Sequence, residues 1–141
     1  MKISSGIAII YNNKILLCKP VNSGDGNYSL PKGGVDIGET LIDAAIRETI
    51  EEVGIYINES QILNKNTLIV IDYINKKNEL FKRVSVFIVR IKSLSEIGIS
   101  SETLDKSQLQ PTEVSFAKFL CKEEADIKIF YRFKPILELL N

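Results

Sequence analysis

The stretch Gly33-Gly-Val-Asp-Ile-Gly-Glu-Thr-Leu-Ile-Asp-Ala-Ala-Ile-Arg-Glu-Thr-Ile-Glu-Glu-Val-Gly-Ile55 decides the fold of this 141-residue chain. It begins with an extended segment that contains several glycines. Thr40 then precedes Asp43 by three residues, a pairing that is typical of the start of a helix. Gly54 stands where a helix of this kind ends, because glycine adopts the left-handed conformation of the C′ position. The sequence therefore predicts a helix over residues 41–53.

This helix carries its charges on one side. At 100° per residue, the side chains of Arg47, Glu48, Glu51 and Glu52 lie on one arc of about 140°. The opposite side is β-branched and is predicted to be buried; it comprises Ile42, Ile46, Thr49, Ile50 and Val53. Three crowded carboxylates near a helix C-terminus repel one another. They form either a solvated acidic face or a site for a hard cation, Mg²⁺ or Mn²⁺.

Strand-like segments flank the helix on both sides. Residues 6–11 and 14–18, separated by Asn12-Asn13, predict a hairpin. Further strands are predicted at 55–57, 67–74, 81–91 and 113–119, and closing helices at 122–129 and 134–140. With no repeat and no linker, the chain is predicted to form a single α/β domain over residues 1–141.

Composition excludes several classes of function. The chain has 18 basic and 18 acidic residues and no histidine, which excludes histidine-dependent triads and histidine-ligated zinc. Zero net charge argues against holding duplex nucleic acid by bulk charge. Two distant cysteines predict free thiols and a cytoplasmic protein. No apolar run is long enough to span a bilayer, and no signal-peptide pattern is present, so no membrane partner is expected.

The residues of the opening stretch resemble the Nudix box, Gly-x5-Glu-x7-Arg-Glu-U-x-Glu-Glu-x-Gly-U, in which U is a bulky apolar residue. Gly33, Glu39 and the segment from Arg47 to Ile55 match every fixed position. The single departure is Thr49 at the first U, which keeps the β-branched shape. The resemblance implies a Nudix-type α/β/α sandwich with a mixed sheet and one central catalytic helix. It also implies metal-dependent hydrolysis of a phosphoanhydride bond in a nucleoside diphosphate-linked substrate.

The resemblance assigns roles by position. It implies that Glu48 and Glu52 bind Mg²⁺ or Mn²⁺, and that Glu51 is a further ligand or the base that activates water. Arg47 would orient a neighbouring carboxylate, and Glu39 would tie the loop to the helix. The backbone carbonyl near Gly33 would reach the metal.

Residues outside the box are candidates for substrate binding. Lys32, in Pro31-Lys32-Gly33, precedes the loop that would face phosphates, and this form resembles Nudix members that act on diadenosine polyphosphates and diphosphoinositol phosphates. Glu113 lies where relatives often carry an additional acid. Tyr73, Lys82, Arg83 and Tyr131 are candidates for base stacking or phosphate contact.

Several functions remain open at this level. Diadenosine polyphosphates are the first substrate candidate, followed by capped or triphosphorylated RNA 5′ ends and by nucleoside triphosphates or nucleotide sugars. A Nudix-fold module that senses a nucleotide without cleaving it is the alternative from another class, and a protein-interaction domain with a solvated acidic helix is the third. The sequence does not indicate an oligomeric state.

Overall fold

In the computed structural model, which describes residues 1–141, six strands and two α-helices follow one another with four 3-10 helices between and after them. The strands are β1 (Lys2–Tyr11), β2 (Lys14–Pro20), β3 (Lys32–Gly34), β4 (Ile69–Ile74), β5 (Leu80–Ile91) and β6 (Val114–Leu120). The α-helices are α1 (Leu41–Val53) and α2 (Lys122–Lys128). The 3-10 helices span Glu59–Gln61, Leu94–Ile97, Lys106–Gln108 and Tyr131–Leu139.

The strands form one mixed sheet in the order β4-β5-β1-β2-β6. Strands β1 and β5 pair in parallel, and the other neighbours pair antiparallel. Asn12 and Asn13 make the predicted hairpin between β1 and β2 because both adopt positive φ, at 49° and 57°, as a tight two-residue turn requires.

A fork opens between β1 and β2. The two strands pair only next to their hairpin turn, and the start of β1 pairs with β3 instead. The segment 29–34 crosses this fork, since the Cys18 N–H donates to the Ser29 carbonyl at 2.8 Å and the Ile7 N–H donates to the Pro31 carbonyl at 3.2 Å. One short segment therefore bridges the two halves of the sheet.

Two apolar clusters cover the two faces of the sheet. The first joins α1 to one face and includes Ile7, Leu16 and Val53. The second joins α2 and the C-terminal 3-10 helix to the other face and includes Leu17 and Phe133. Helices therefore pack on both sides of a mixed sheet, which confirms the predicted α/β/α sandwich.

Helix α1 has the predicted bounds. The Asp43 N–H donates to the Thr40 Oγ1 at 3.0 Å, and Gly54 ends the helix with a φ of 67°. The predicted buried face is only partly right, because Ile50 is exposed. The helix instead packs through Ala44 and other small or β-branched residues, which lie closer to the sheet.

Two further elements differ from prediction. Residues 55–57 form no strand, although Ile55 and Ile57 are fully buried, so their apolar character reflects core packing rather than sheet pairing. The last predicted helix is a 3-10 helix, Tyr131–Leu139, which contains Pro135; proline lacks the N–H that an α-helix interior needs. No helix has the length and apolar content required to cross a membrane.

Candidate active site

Arg47 lies at the centre of the acidic face of α1. Its Nε and Nη2 donate to the two carboxylate oxygens of Glu39 at 2.8 and 2.9 Å. Its Nη1 donates to Glu48 at 2.8 Å and to Glu51 at 3.2 Å, and Nη2 also reaches the Gly34 carbonyl at 2.8 Å. One planar guanidinium therefore fixes the loop and two helix carboxylates relative to each other.

Glu39 is held as an anion in the loop before the helix. The Arg47 guanidinium, followed by the N–H of Asp36, lowers the pKa of Glu39 to about 2. Its two carboxylate oxygens both accept hydrogen bonds from Arg47. This geometry agrees with the predicted structural role of tying the loop to the helix.

Glu48 is packed against strand β3. Its side chain retains 13 % of its exposure, and a Cβ atom on Gly33 would overlap its carboxylate. Burial raises the pKa of Glu48, the Arg47 bond opposes that rise, and the charges of Glu51 and Glu113 add to it. Gly33 is therefore required by packing, because any side chain there would displace this carboxylate.

Glu52 lies one helical turn further along the same side. Its Oε1 accepts the backbone N–H of Lys32 at 3.0 Å. Burial raises the pKa of Glu52 to about 7, although the Lys32 N–H and charge oppose the shift, and the charges of Glu48 and Glu113 also raise it. Two carboxylates thus stand half-buried at β3 without a cation sufficient to offset their charge.

Glu51 and Glu113 complete the acidic group. The Glu51 side chain is 53 % exposed and projects beside the two buried carboxylates. Glu113 lies in the loop before β6, and its charge acts on both Glu48 and Glu52. This loop is fixed to the end of α1, because the Gln110 N–H donates to the Glu52 carbonyl at 2.9 Å and the Glu113 N–H donates to the Gln110 carbonyl.

The donor set suits a hard divalent cation. Its atoms are carboxylate oxygens and a backbone carbonyl, with no histidine in the chain, which favours Mg²⁺ or Mn²⁺ over zinc. Burial is the main cause of the raised pKa values of Glu48 and Glu52, and the charges of neighbouring carboxylates add to it. A cation bound at the carboxylates would favour their ionised forms. No three acidic or cysteine side chains form a preassembled metal cluster. Arg47 bonds Glu48 and Glu51, and the Lys32 N–H bonds Glu52.

An aromatic cluster lies on the other face of the sheet, reached from the site through Lys32. We define it by its rings, which are Tyr73, Phe81, Phe130, Tyr131 and Phe133. Phe81 and Tyr131 are its exposed members, at 46 % and 60 %, whereas Tyr73 is only 8 % exposed. Tyr73, the predicted stacking residue, is therefore buried beneath the cluster, and the rings that a base can reach are those of Phe81 and Tyr131.

Cations line this cluster. The Lys32 Nζ lies 5.9 Å from the Phe133 ring centroid, and the Lys82 Nζ lies 5.0 Å from that of Tyr73. Arg132 lies between the rings, 4.9 Å from Tyr73 and 5.9 Å from Phe81. Burial, together with the charges of Lys32 and Lys2, lowers the pKa of Lys82 to about 8. The three ammonium groups therefore lie close together, and a bound anion would offset their mutual repulsion.

Arg83 lies apart from this cation group. Successive residues of a strand point to opposite faces, and Arg83 forms a paired hydrogen bond with Asp72, at 2.6 and 3.0 Å. The structure therefore brings Lys32 and Tyr73 together, brings Glu113 to the carboxylates, and separates Arg83 from both groups.

Two residues of the site were missed at the sequence level. Phe81 is an aromatic residue directly after a turn, and this position could have marked it as a candidate stacking residue; the structure shows that its ring is exposed. Arg132 gave a weaker signal, since its place between two rings depends on the 3-10 conformation of a segment that was predicted to be helical only from residue 134.

Comparison with known proteins agrees with this geometry. The family model of the NUDIX domain matches residues 1–139. An RNA pyrophosphohydrolase of Psychrobacter sp. (strain PRwf-1) is 40 % identical over 62 residues, which are 42 % of this chain and 35 % of that protein. An RNA pyrophosphohydrolase of Helicobacter pylori (strain P12) is 32 % identical over 85 residues, covering 56 % of this chain and 54 % of that protein. The matches thus span between a third and about half of these relatives.

Solved structures share the whole architecture. A C. elegans Ap4A hydrolase in a binary complex superposes with a TM-score of 0.68 at 22 % identity, covering 98 % of this chain and 93 % of that one. At this identity the likeness concerns the fold alone. The match of the family model to nearly the full length, together with the geometry of the box, shows that the chain belongs to the NUDIX domain family.

Proposed function

We propose that this protein is a metal-dependent pyrophosphohydrolase that cleaves a phosphoanhydride bond in a nucleoside diphosphate-linked substrate. The observation that carries the proposal is the pair of half-buried carboxylates, Glu48 and Glu52, which are held against β3 and are within reach of the charge of Glu113. An acidic helix that served only as a solvated surface would have no reason to bury two of its carboxylates. The NUDIX match over residues 1–139 supports the same activity.

The chain's own residues take distinct roles in this proposal. Glu48, Glu52 and the Gly33 carbonyl, joined by Glu51, would hold Mg²⁺ or Mn²⁺, which supplies charge neutralisation of the phosphates and a lower pKa for the attacking water. Glu51 is assigned the proton-accepting role because its side chain is the most exposed of the three and is held only by Arg47, whereas Glu48 and Glu52 are packed against β3. Arg47 is a positioning residue that sets the spacing of these carboxylates.

Substitution of the carboxylates tests the activity. Glu51→Gln and Glu52→Gln remove charge with little change in shape, and each is expected to lower kcat at least about a hundredfold in Mg²⁺. Glu79→Gln, in an exposed turn, is the matched control and is expected to retain full activity. Full turnover in both variants would refute the mechanism. Tight nucleotide binding by the wild-type protein with no turnover would indicate a sensing module instead.

For the substrate, we propose a dinucleoside polyphosphate, with diadenosine polyphosphates as the first candidate. Two exposed rings, Phe81 and Tyr131, lie 5.9 and 5.1 Å from the Arg132 guanidinium. The ammonium groups of Lys32 and Lys82 lie over the rings of Phe133 and Tyr73 in the same cluster. Such a combination suits an adenine base next to a polyphosphate chain. The sequence Pro31-Lys32-Gly33 and the fold shared with an Ap4A hydrolase support this substrate.

An RNA 5′ end is the second candidate, because the curated relatives are RNA pyrophosphohydrolases and Lys2 extends the cation group along β1. A product-resolved assay separates the two candidates by comparing diadenosine tetraphosphate, triphosphorylated RNA and nucleoside triphosphates at equal concentration. We expect kcat/KM to be highest for diadenosine tetraphosphate. A higher value for RNA would overturn this preference and leave the hydrolytic activity intact.

The exposed rings offer a second test of the substrate. Phe81→Ala and Tyr131→Ala are each expected to raise the KM for diadenosine tetraphosphate about tenfold, since stacking of one base contributes roughly 1–3 kcal/mol. Tyr56→Ala removes an exposed ring outside the aromatic cluster and serves as the control. An unchanged KM in both cluster variants would contradict base stacking at this place. We further propose that residues 1–141 act as a single domain.

A further inference from the structure

The largest cavity of the molecule lies on the sheet face opposite α1, away from the carboxylates. It has a volume of about 510 Å³ and is bounded by β2, β6, α2 and the loop that contains Tyr28. Ligand pockets in proteins have volumes of this order. None of the box residues and none of the residues in the aromatic cluster contributes to its lining, so the proposed hydrolytic activity does not account for it.

Four ammonium groups surround this cavity. They belong to Lys19, Lys106, Lys118 and Lys128, and Glu124 is the single carboxylate in the lining. Lys128 pairs with Asp25 at 3.1 Å, whereas the other three lysines form no ion pair. The chain as a whole has zero net charge, so this excess of positive charge is local and an anion would stabilise it.

The floor of the cavity is apolar and aromatic. Tyr28 and Leu120 are buried members of the second apolar cluster, and Phe116 packs at its edge. The Lys128 Nζ lies 5.5 Å from the Tyr28 ring centroid. A simple inorganic anion would leave this surface unused, whereas a ligand with a flat base and phosphate groups would cover the floor and meet the lysines.

We propose that this cavity is a second ligand site, which binds a mononucleotide through its phosphates independently of the catalytic carboxylates. Lys19, Lys106 and Lys118 contact the phosphates, and Phe116, whose ring is only partly buried, packs against the base. The lining comes from β2, β6, α2, the 3-10 helix that begins at Lys106 and the loop at Tyr28, so the cavity is a local, open depression of the size of a small ligand.

Binding of ADP in metal-free buffer tests the proposal. Calorimetry on the full chain is expected to show ADP binding, and amide chemical-shift changes are expected at Lys106, Ser115 and Lys118. Lys106→Ala combined with Lys118→Ala should raise the Kd at least tenfold, since each removes a charged partner of a phosphate. Lys76→Ala combined with Lys77→Ala removes two exposed turn lysines and should leave the Kd unchanged.

Two additional measurements identify the site and its ligand. The Lys106→Ala, Lys118→Ala protein is expected to keep wild-type kcat on diadenosine tetraphosphate, and a loss parallel to the loss of ADP binding would place the cavity in the active site and overturn the proposal. Inorganic pyrophosphate is expected to bind more weakly than ADP, because it lacks the base. Equal affinity for pyrophosphate, tighter binding of an RNA hexamer, or no ADP binding would each refute a mononucleotide site.

Discussion

The carboxylate of Glu48 occupies the space that a side chain at Gly33 would fill. Gly33→Ala is therefore expected to displace Glu48 and to lower kcat at least tenfold, a change of about 1.4 kcal/mol in activation free energy. Gly34→Ala is the matched control, since a Cβ at Gly34 meets no atom within 4 Å. Steady-state kinetics on both variants checks the prediction, and equal activity would contradict it.

Arg47→Lys tests the planar fork that joins the loop to the helix. Lysine keeps the charge but cannot bond Glu39 and Glu48 together in one geometry. We expect kcat to fall at least tenfold and the Tm to drop by about 3–6 °C. Arg83→Lys alters a similar paired bond to Asp72 away from the carboxylates, and it should leave kcat unchanged. An equal loss of kcat in the two variants would argue against a positioning role for Arg47.

Glu39 predicts a dependence of stability on pH. Its folded-state pKa of about 2 lies below the ordinary 4.5, so the unfolded chain binds more protons between these values. The stabilisation from ionised Glu39 is therefore complete above pH 4.5 and is lost as the pH falls towards 2. The difference in Tm between wild type and Glu39→Gln should shrink over that window. Glu59→Gln, which removes an exposed carboxylate that forms no ion pair, is the control.

Metal binding is expected to stabilise the folded protein. A cation that binds only the folded state adds about 2.7 kcal/mol at a hundredfold excess over its Kd. Millimolar Mn²⁺ should thus raise the Tm of the wild type and of Glu79→Gln, and the shift should be lost in Glu48→Gln and Glu52→Gln. Thermal unfolding followed by circular dichroism measures this effect without reference to turnover. A full shift in the two carboxylate variants would exclude them as ligands.

Local signals explain why the helix could be predicted from sequence. Thr40 and Gly54 mark both ends of α1 through their own backbone preferences, so the predicted bounds of 41–53 are confirmed. Burial along the helix was less predictable. Ile50 is exposed because the sheet contacts α1 through smaller residues, and this depends on how closely two elements approach.

The acidic face was predictable in part. Glu48, Glu51 and Glu52 share one helix, so their spacing alone placed them together. Glu113 joins them only through the loop that the Glu52 carbonyl fixes, and the aromatic cluster forms from β4, β5 and the C-terminal segment. Contacts between distant parts of the chain produce no periodic pattern in the sequence. The sequence therefore indicated candidate residues such as Tyr73 without showing which of them are accessible.

The segment 29–34, which crosses the fork, connects ligand binding to the stability of both halves of the sheet. It is bonded to Cys18 on one half of the sheet through Ser29 and to Ile7 on the other through Pro31, and Lys32 follows directly after Pro31. Binding of a phosphate by Lys32 is therefore expected to restrain both halves of the sheet at the same time. Amide hydrogen exchange at Cys18 and Ile7 should slow together when nucleotide binds. A substitution that weakens one of these two hydrogen bonds should also speed exchange at the other.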